Sequence, residues 1–189
     1  TIAVSSSALS ATLNVAVSAD PDTFDPTRTV AAATVEIAFN IYEGLVKAAP
    51  DGSLVGALAA EWDVSSDQKT YTFTLREAFF HSGRKVTAED VVNAFNRARN
   101  PEIASRWSDF ALVETIEGEG NTVVIRLSQP NAAFLYTLAE VNAAIYPAEA
   151  EGLSSQPVGT GPYKLAEWRP NNFIRLERFD QHWSGQVPY

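Results

Sequence analysis

The chain has 189 residues, of which 46% are hydrophobic and 20% charged, so it can bury a real core as one domain or two small lobes. Its net charge of −9, from 23 acidic against 14 basic residues, argues against a nucleic-acid partner, because phosphate binding needs clustered Lys and Arg. With no Cys, disulfides, thiolate metal sites and a cysteine nucleophile are excluded.

Residues 1–12 are small, Ser/Ala-rich and nearly featureless, and read as a linker or the segment that follows a removed export signal. No apolar run approaches the roughly 18 residues needed to span a membrane. Residues 13–18 (LNVAVS) alternate and predict a strand. Residues 19–29 (ADPDTFDPTRT) carry two Asp-Pro steps, which predict an ordered loop. A long polar loop after a strand is either a plain connection or a place for ligand contacts.

A helix is expected over residues 30–42, with Val35, Ala38, Phe39 and Tyr42 at helical spacing and Gly44 as its stop. Residues 45–48 and 54–58 flank Pro50-Asp51-Gly52, a hairpin-like reversal. Trp62 and Val64 then mark a short strand and Ser65-Ser66-Asp67 a turn. Tyr71, Phe73 and Leu75 alternate with Thr72, Thr74 and Arg76 on a strand with one buried face. Phe79 and Phe80 continue into core before the His81-Ser82-Gly83 turn. Thr87 and Asp90 form a capping box for a helix whose buried stripe is Val91, Val92, Phe95 and Ala98, and Asn100-Pro101 ends it.

A short helix is expected over 103–110, a β-hairpin over 113–117 and 122–127, and another short helix over 132–139. Residues 143–146 read as a buried strand, and Pro147 as the opening of a short acidic helix. The Ser/Gly/Pro-rich stretch 153–161 reads as a crossing between substructures, ending in VGTGPY. A second hairpin is expected over 163–168 and 173–179. Tight turns between strands point to a mixed α/β chain with antiparallel hairpins rather than a doubly wound parallel sheet.

Few residues advertise chemistry. His81 and His182 are far apart in sequence, and His81, between aromatics and a glycine turn, reads as a structural hydrogen-bonding group. A Ser-His-Asp triad is not marked by any G-x-S-x-G elbow. Asp20, Asp22 and Asp25 lack the spacing and terminal Glu of a calcium loop, so capping and turn roles are expected. Neither a dinucleotide fingerprint nor a phosphate loop is present, and no cofactor or metal is expected. Trp62 and Trp168 lie in strand patterns. Trp107, in a polar short helix, either covers the end of a core or offers an exposed aromatic to a small ligand.

Several blocks together carry a resemblance: DPDTFDP (20–26), YEGLV (42–46), LAAEW (58–62), YTFTLR (71–76), FHSGRKVTAEDV (80–91) with Phe95 and Arg97, GTGPYKL (159–165), LER (176–178) and HW (182–183). In order and spacing they resemble the extracellular solute-binding proteins of ABC importers, family 5, the class that handles peptides, nickel and related ligands. The resemblance implies the first lobe of a two-lobed, type II periplasmic-binding-protein-like fold, with the second lobe absent from this chain. It implies a main first lobe made of 13–43 and 156–189, with 44–155 as an inserted small subdomain.

By the same resemblance, the ligand lies between lobes. The positions expected to face it are Thr23, Phe24, Asp25, Tyr42, Glu43, Trp107, Gly159, Thr160, Gly161 and Tyr163. The implied function is capture of an extracytoplasmic solute, oligo- or dipeptides first, for delivery to a membrane permease. The implied setting is the periplasm or a cell-surface lipoprotein, with no catalysis. A dimer through an open sheet edge is a further expectation. The alternatives left open are a solute-sensing domain of a signalling or regulatory protein and, behind it, a small hydrolase built on Asp, His and Ser.

Overall fold

A computed structural model describes residues 12–185 and 187. The expected linker at 1–12 therefore lies, but for its last residue, outside the described residues. The centre of the molecule is a four-stranded antiparallel sheet in the order β3-β4-β6-β5, formed by β3 (Ala59–Val64), β4 (Thr70–Leu75), β5 (Val113–Glu119) and β6 (Thr122–Leu127). β4 alternates as its sequence requires, with Tyr71, Phe73 and Leu75 buried, and Val123, Ile125 and Leu127 of β6 bury the same face beside them.

α2 (Ala88–Ala98) packs on that sheet through Ala88, Val91, Ala94, Phe95 and Ala98. Its start is fixed by the capping box. Thr87 Oγ1 accepts from the Asp90 amide and Asp90 Oδ2 accepts from the Thr87 amide at 2.8 Å. Asp90 is buried, pairs with Arg84, and takes the Ala148 amide at 3.0 Å, so one carboxylate ties the helix start to two loops. Gly118 on β5 lets α2 approach, since a Cβ there would stand 2.9 Å from the Ala88 side chain.

Two hairpins and one helix flank this unit. β1 (Val46–Ala48) and β2 (Leu54–Gly56) pair antiparallel around Asp51-Gly52, where Asp51 Oδ1 accepts from the Ser53 amide and hydroxyl. β7 (Tyr163–Arg169) and β8 (Phe173–Arg178) form the last hairpin. α1 (Ala32–Ile41) buries Ala33, Thr34, Ile37, Ala38 and Ile41. One hydrophobic core runs from Phe24 and α1 through the sheet to Phe134, Leu138 and Ile145.

The structure corrects several expectations. Residues 13–18 are exposed and are not a strand, because no described strand pairs with them to complete a ladder. On the helix α1, Ala38 and, at its end, Tyr42 are buried, while Phe39 faces out and Ile37 and Ile41 face in. Residues 143–146 are buried as expected, but only a 3₁₀ turn (Val141–Ala143) and an unpaired extended run form there, held by the Ile145 amide on the Glu43 carbonyl at 2.9 Å. Pro147 opens a single turn and no helix: the Ala150 amide donates to the Pro147 carbonyl at 2.9 Å, and the chain leaves the turn at Gly152, whose φ is +67°. The helix expected over 103–110 shrinks to a 3₁₀ turn (Trp107–Phe110), and that over 132–139 to α3 (Phe134–Thr137).

Candidate ligand-facing site

The 20–29 loop is organised by its aspartates. Asp22 Oδ1 accepts from Thr29 Oγ1 at 2.9 Å and Thr34 Oγ1 at 2.8 Å, which seats the loop on α1. Asp25 turns inward. Its Oδ1 accepts from the Thr27 amide at 3.1 Å, Thr27 Oγ1 at 2.8 Å and Arg97 Nη1 at 2.8 Å, and its Oδ2 pairs with Arg97 Nη2. Burial pushes the Asp25 carboxyl up, but the hydrogen bonds from Arg97 and Thr27 and the Arg97 charge outweigh it and hold the group below the usual carboxylate range. Phe24 is buried edge-on against Trp168, with ring centroids 5.0 Å apart, and half-buried Thr23 accepts the Asp25 amide at 3.1 Å. The polar atoms of 23–26 thus brace the fold from α2.

A second node gathers blocks that lie far apart in sequence. Glu43 Oε2 accepts from Trp183 Nε1 at 2.8 Å and from Thr160 Oγ1 at 3.2 Å. Lys47 Nζ stands 3.9 Å from Oε1 and His182 Nε2 stands 3.4 Å from it. The Arg76 guanidinium lies 3.7 Å over the Trp183 ring, a cation–π contact. Gly159 and Gly161 press on the end of α1: a Cβ at 159 would stand 2.1 Å from the Ile41 carbonyl oxygen, and one at 161 would stand 2.5 Å from that of Asn40. Tyr42 is buried beside them and its hydroxyl makes no hydrogen bond among the described residues. Burial, then the Asp25 and Tyr146 charges, push its pKa well up, against the pull of Arg97. Tyr163 is half-buried at the start of β7.

The groups left facing outward form a different set. Trp107 is 42% exposed, Val30 65%, Phe39 49% and Tyr136 56%. The Trp107 segment is joined to the 20–29 loop directly: the Ser105 amide donates to the Thr27 carbonyl at 2.9 Å and Ser105 Oγ to the Arg28 carbonyl at 2.6 Å. Arg106 then reaches Asp109 at 2.8 Å and Glu140 at 3.8 Å. Glu140, Tyr136 and Phe39 line a groove of about 540 Å³ with Tyr42, Glu43, Lys47 and His182 in its wall. The groove wall is mostly apolar, the kind of surface that takes an organic ligand or a partner, and Val30 and Trp107 are exposed apolar side chains outside it. Among the described residues, no three His, Asp or Glu side chains are grouped to hold a metal ion.

Of the ten expected positions, Tyr42 and Glu43 line the groove, and Trp107 stands on the exposed shelf. Thr160 lies behind Glu43, Gly159 and Gly161 are packed on α1, and Phe24 and Asp25 face the core. The sequence reading missed Val30, Phe39, Lys47, Tyr136, Glu140 and His182. The sequence places Phe39 at helical spacing with Val35, Ala38 and Tyr42 and carries no mark of which of them faces out.

A sequence model described as Bacterial extracellular solute-binding proteins, family 5 Middle, matches residues 53–189. The chain belongs to this family. It is similar to the peptide transport periplasmic protein SapA of Salmonella typhimurium (strain LT2), 35% identical over 90% of this chain and 37% of SapA. Among solved structures of the family's fold, it is similar to the binding protein AgaA of A. tumefaciens R10 in complex with agropinic acid. That match has a TM-score of 0.84 and 32% identity, covering 87% of this chain and 35% of AgaA. It is also similar to Haemophilus influenzae OppA in complex with RPPGFSPFR, with a TM-score of 0.82 and 27% identity, covering 88% of this chain and 38% of OppA. The mixed α/β architecture with antiparallel sheets is therefore that of a periplasmic binding protein. The chain spans little more than a third of these family 5 relatives.

Proposed function

We propose that the chain is part of the solute-binding component of an ABC importer. It captures an extracytoplasmic solute, oligo- or dipeptides first, and serves delivery to a membrane permease; it binds and does not catalyse. The observation that carries the reading is membership of the solute-binding family together with the peptide-transport role of SapA and the peptide held by OppA. The exposed Trp107 shelf supports it, because an aromatic face held rigidly beside a braced loop suits a peptide or similar organic ligand. On this reading, 13–43 and 156–189 belong to the main lobe and 44–155 is the inserted subdomain. On the same reading, Tyr42 and Glu43 wall the groove, the 23–26 loop and 159–163 support them from behind, and Trp107 with Val30 touches the ligand.

The test is a thermal-shift and calorimetric screen of the protein against a dipeptide-to-nonapeptide panel and agropinic acid. A peptide should raise Tm, and Trp107→Ala should weaken its binding by at least about tenfold, or 1.4 kcal/mol. A shift with agropinic acid and none with any peptide would overturn the peptide assignment. The AgaA complex keeps that second ligand class in view.

A further inference from the structure

His81 stands outside the ligand shelf, yet its whole hydrogen-bonding capacity is used across one boundary. Its amide donates to the Gly159 carbonyl at 2.9 Å. Its ring Nε2 lies 3.0 Å from the Gly161 carbonyl oxygen, which can only accept, so Nε2 carries the proton. The Gly159 amide donates to Nδ1 at 3.4 Å, so Nδ1 must keep its lone pair. The ring is braced edge-on by Phe179, with centroids 5.0 Å apart. Both nitrogens together demand the neutral Nε2–H tautomer. A proton on Nδ1 would set one N–H against another.

The segment held this way is clamped from its other side by α1. Gly161 donates to the Ile41 carbonyl at 2.9 Å, and Thr160 Oγ1 donates to Glu43. We propose that His81 is a proton-operated staple. Neutral, it fastens the 80–83 turn to Gly159–Gly161 and through Thr160 steadies Glu43; protonated, it releases that segment. The proposal stands whatever ligand the protein takes. The charged groups facing the ring act in both directions. Burial pushes its pKa down to about 4; the Gly161 carbonyl opposes this, Lys164 on β7 and His182 beyond β8 reinforce it, and Glu43 opposes it. The opened ring titrates near 6.5, so opening gains up to about tenfold per pH unit below that value until the closed ring also protonates.

The test combines ring 15N NMR with hydrogen exchange of the Gly159 amide on the protein between pH 7 and 4.5, corrected for intrinsic exchange. The expected results are an Nε2–H tautomer at pH 7, a ring midpoint well below 6.5, and a Gly159 opening constant rising close to tenfold per pH unit below about 6. His81→Gln should abolish the rise and His182→Gln should keep it. An Nδ1–H tautomer, a midpoint at 6.5, no rise in the wild type, or a rise that survives in His81→Gln overturns the proposal. If His81→Gln does not fold, the wild-type tautomer and midpoint decide alone.

Discussion

At the scale of single residues, the most exposed dependence is on Asp25. A carboxylate taken almost wholly out of water is held there by Arg97 and Thr27, and its removal strands a half-buried guanidinium. Breaking one side of such a pair costs about 3 kcal/mol, with the lower end expected because Arg97 keeps some solvent. Asp25→Ala should therefore lower the unfolding free energy from urea titration by that amount, and the Asp25→Leu, Arg97→Met double variant should recover much of the loss. The same group sets an acid limit. Its folded pKa lies below the unfolded value, so its contribution is complete above about pH 4 and is lost as pH falls through the lower folded value. Asp25→Asn should be less stable than the wild type at pH 7 and show a flatter decline below pH 4 in equilibrium urea titrations. This window lies beneath the one set by His81, whose folded pKa is also depressed. For a histidine that means stability is lost from about pH 6.5 downward, because the unfolded chain takes the proton first.

At the scale of elements, local rules explain some pieces and not others. α2 was legible because a T-x-x-D cap and an apolar period coincide, and Thr87→Ala should cost about 1 kcal/mol in the same denaturation assay. β4 was legible because its alternation meets a wet face on one side only. Residues 13–18 look the same in pattern but have no partner strand among the described residues, and a strand is a property of pairs. The helix expected after Pro147 stops at one turn, because Gly152 takes a left-handed conformation five residues on. The candidate site suffered likewise. Glu43, Thr160, His182 and Trp183 meet only in the folded chain, and neither block hints at the other. Gly159 shows what the GTG spelling encodes, which is a close approach to the end of α1 and not a nucleotide loop. Gly159→Ala should destabilise by roughly 2–3 kcal/mol, because the obstructing atom is backbone and cannot step aside. A thermal midpoint unchanged by that substitution would refute the contact.

At the scale of the whole molecule, the core is well filled while two outward surfaces are apolar. One includes the groove with Tyr136 and Phe39 and the exposed Val30 and Trp107; the other is the run whose Leu13, Val15 and Val17 point out and pair with no described strand. Both invite contact, but of different kinds. An unpaired run recruits a strand through its backbone, whereas a groove recruits side chains. A second copy of this chain should associate through the exposed apolar run 13–17, a contact separate from the open sheet edge that the family resemblance implies. The net charge of −9 opposes it at low salt, so sedimentation equilibrium should show tighter association as salt rises. Val15→Lys should weaken that association at least about tenfold, because a charge in the run opposes its burial against a second copy, while Phe39→Lys should leave it within about twofold. The reverse ranking would assign self-association to the groove and leave the run as a solvated segment; a monomer at every concentration would remove the run from consideration.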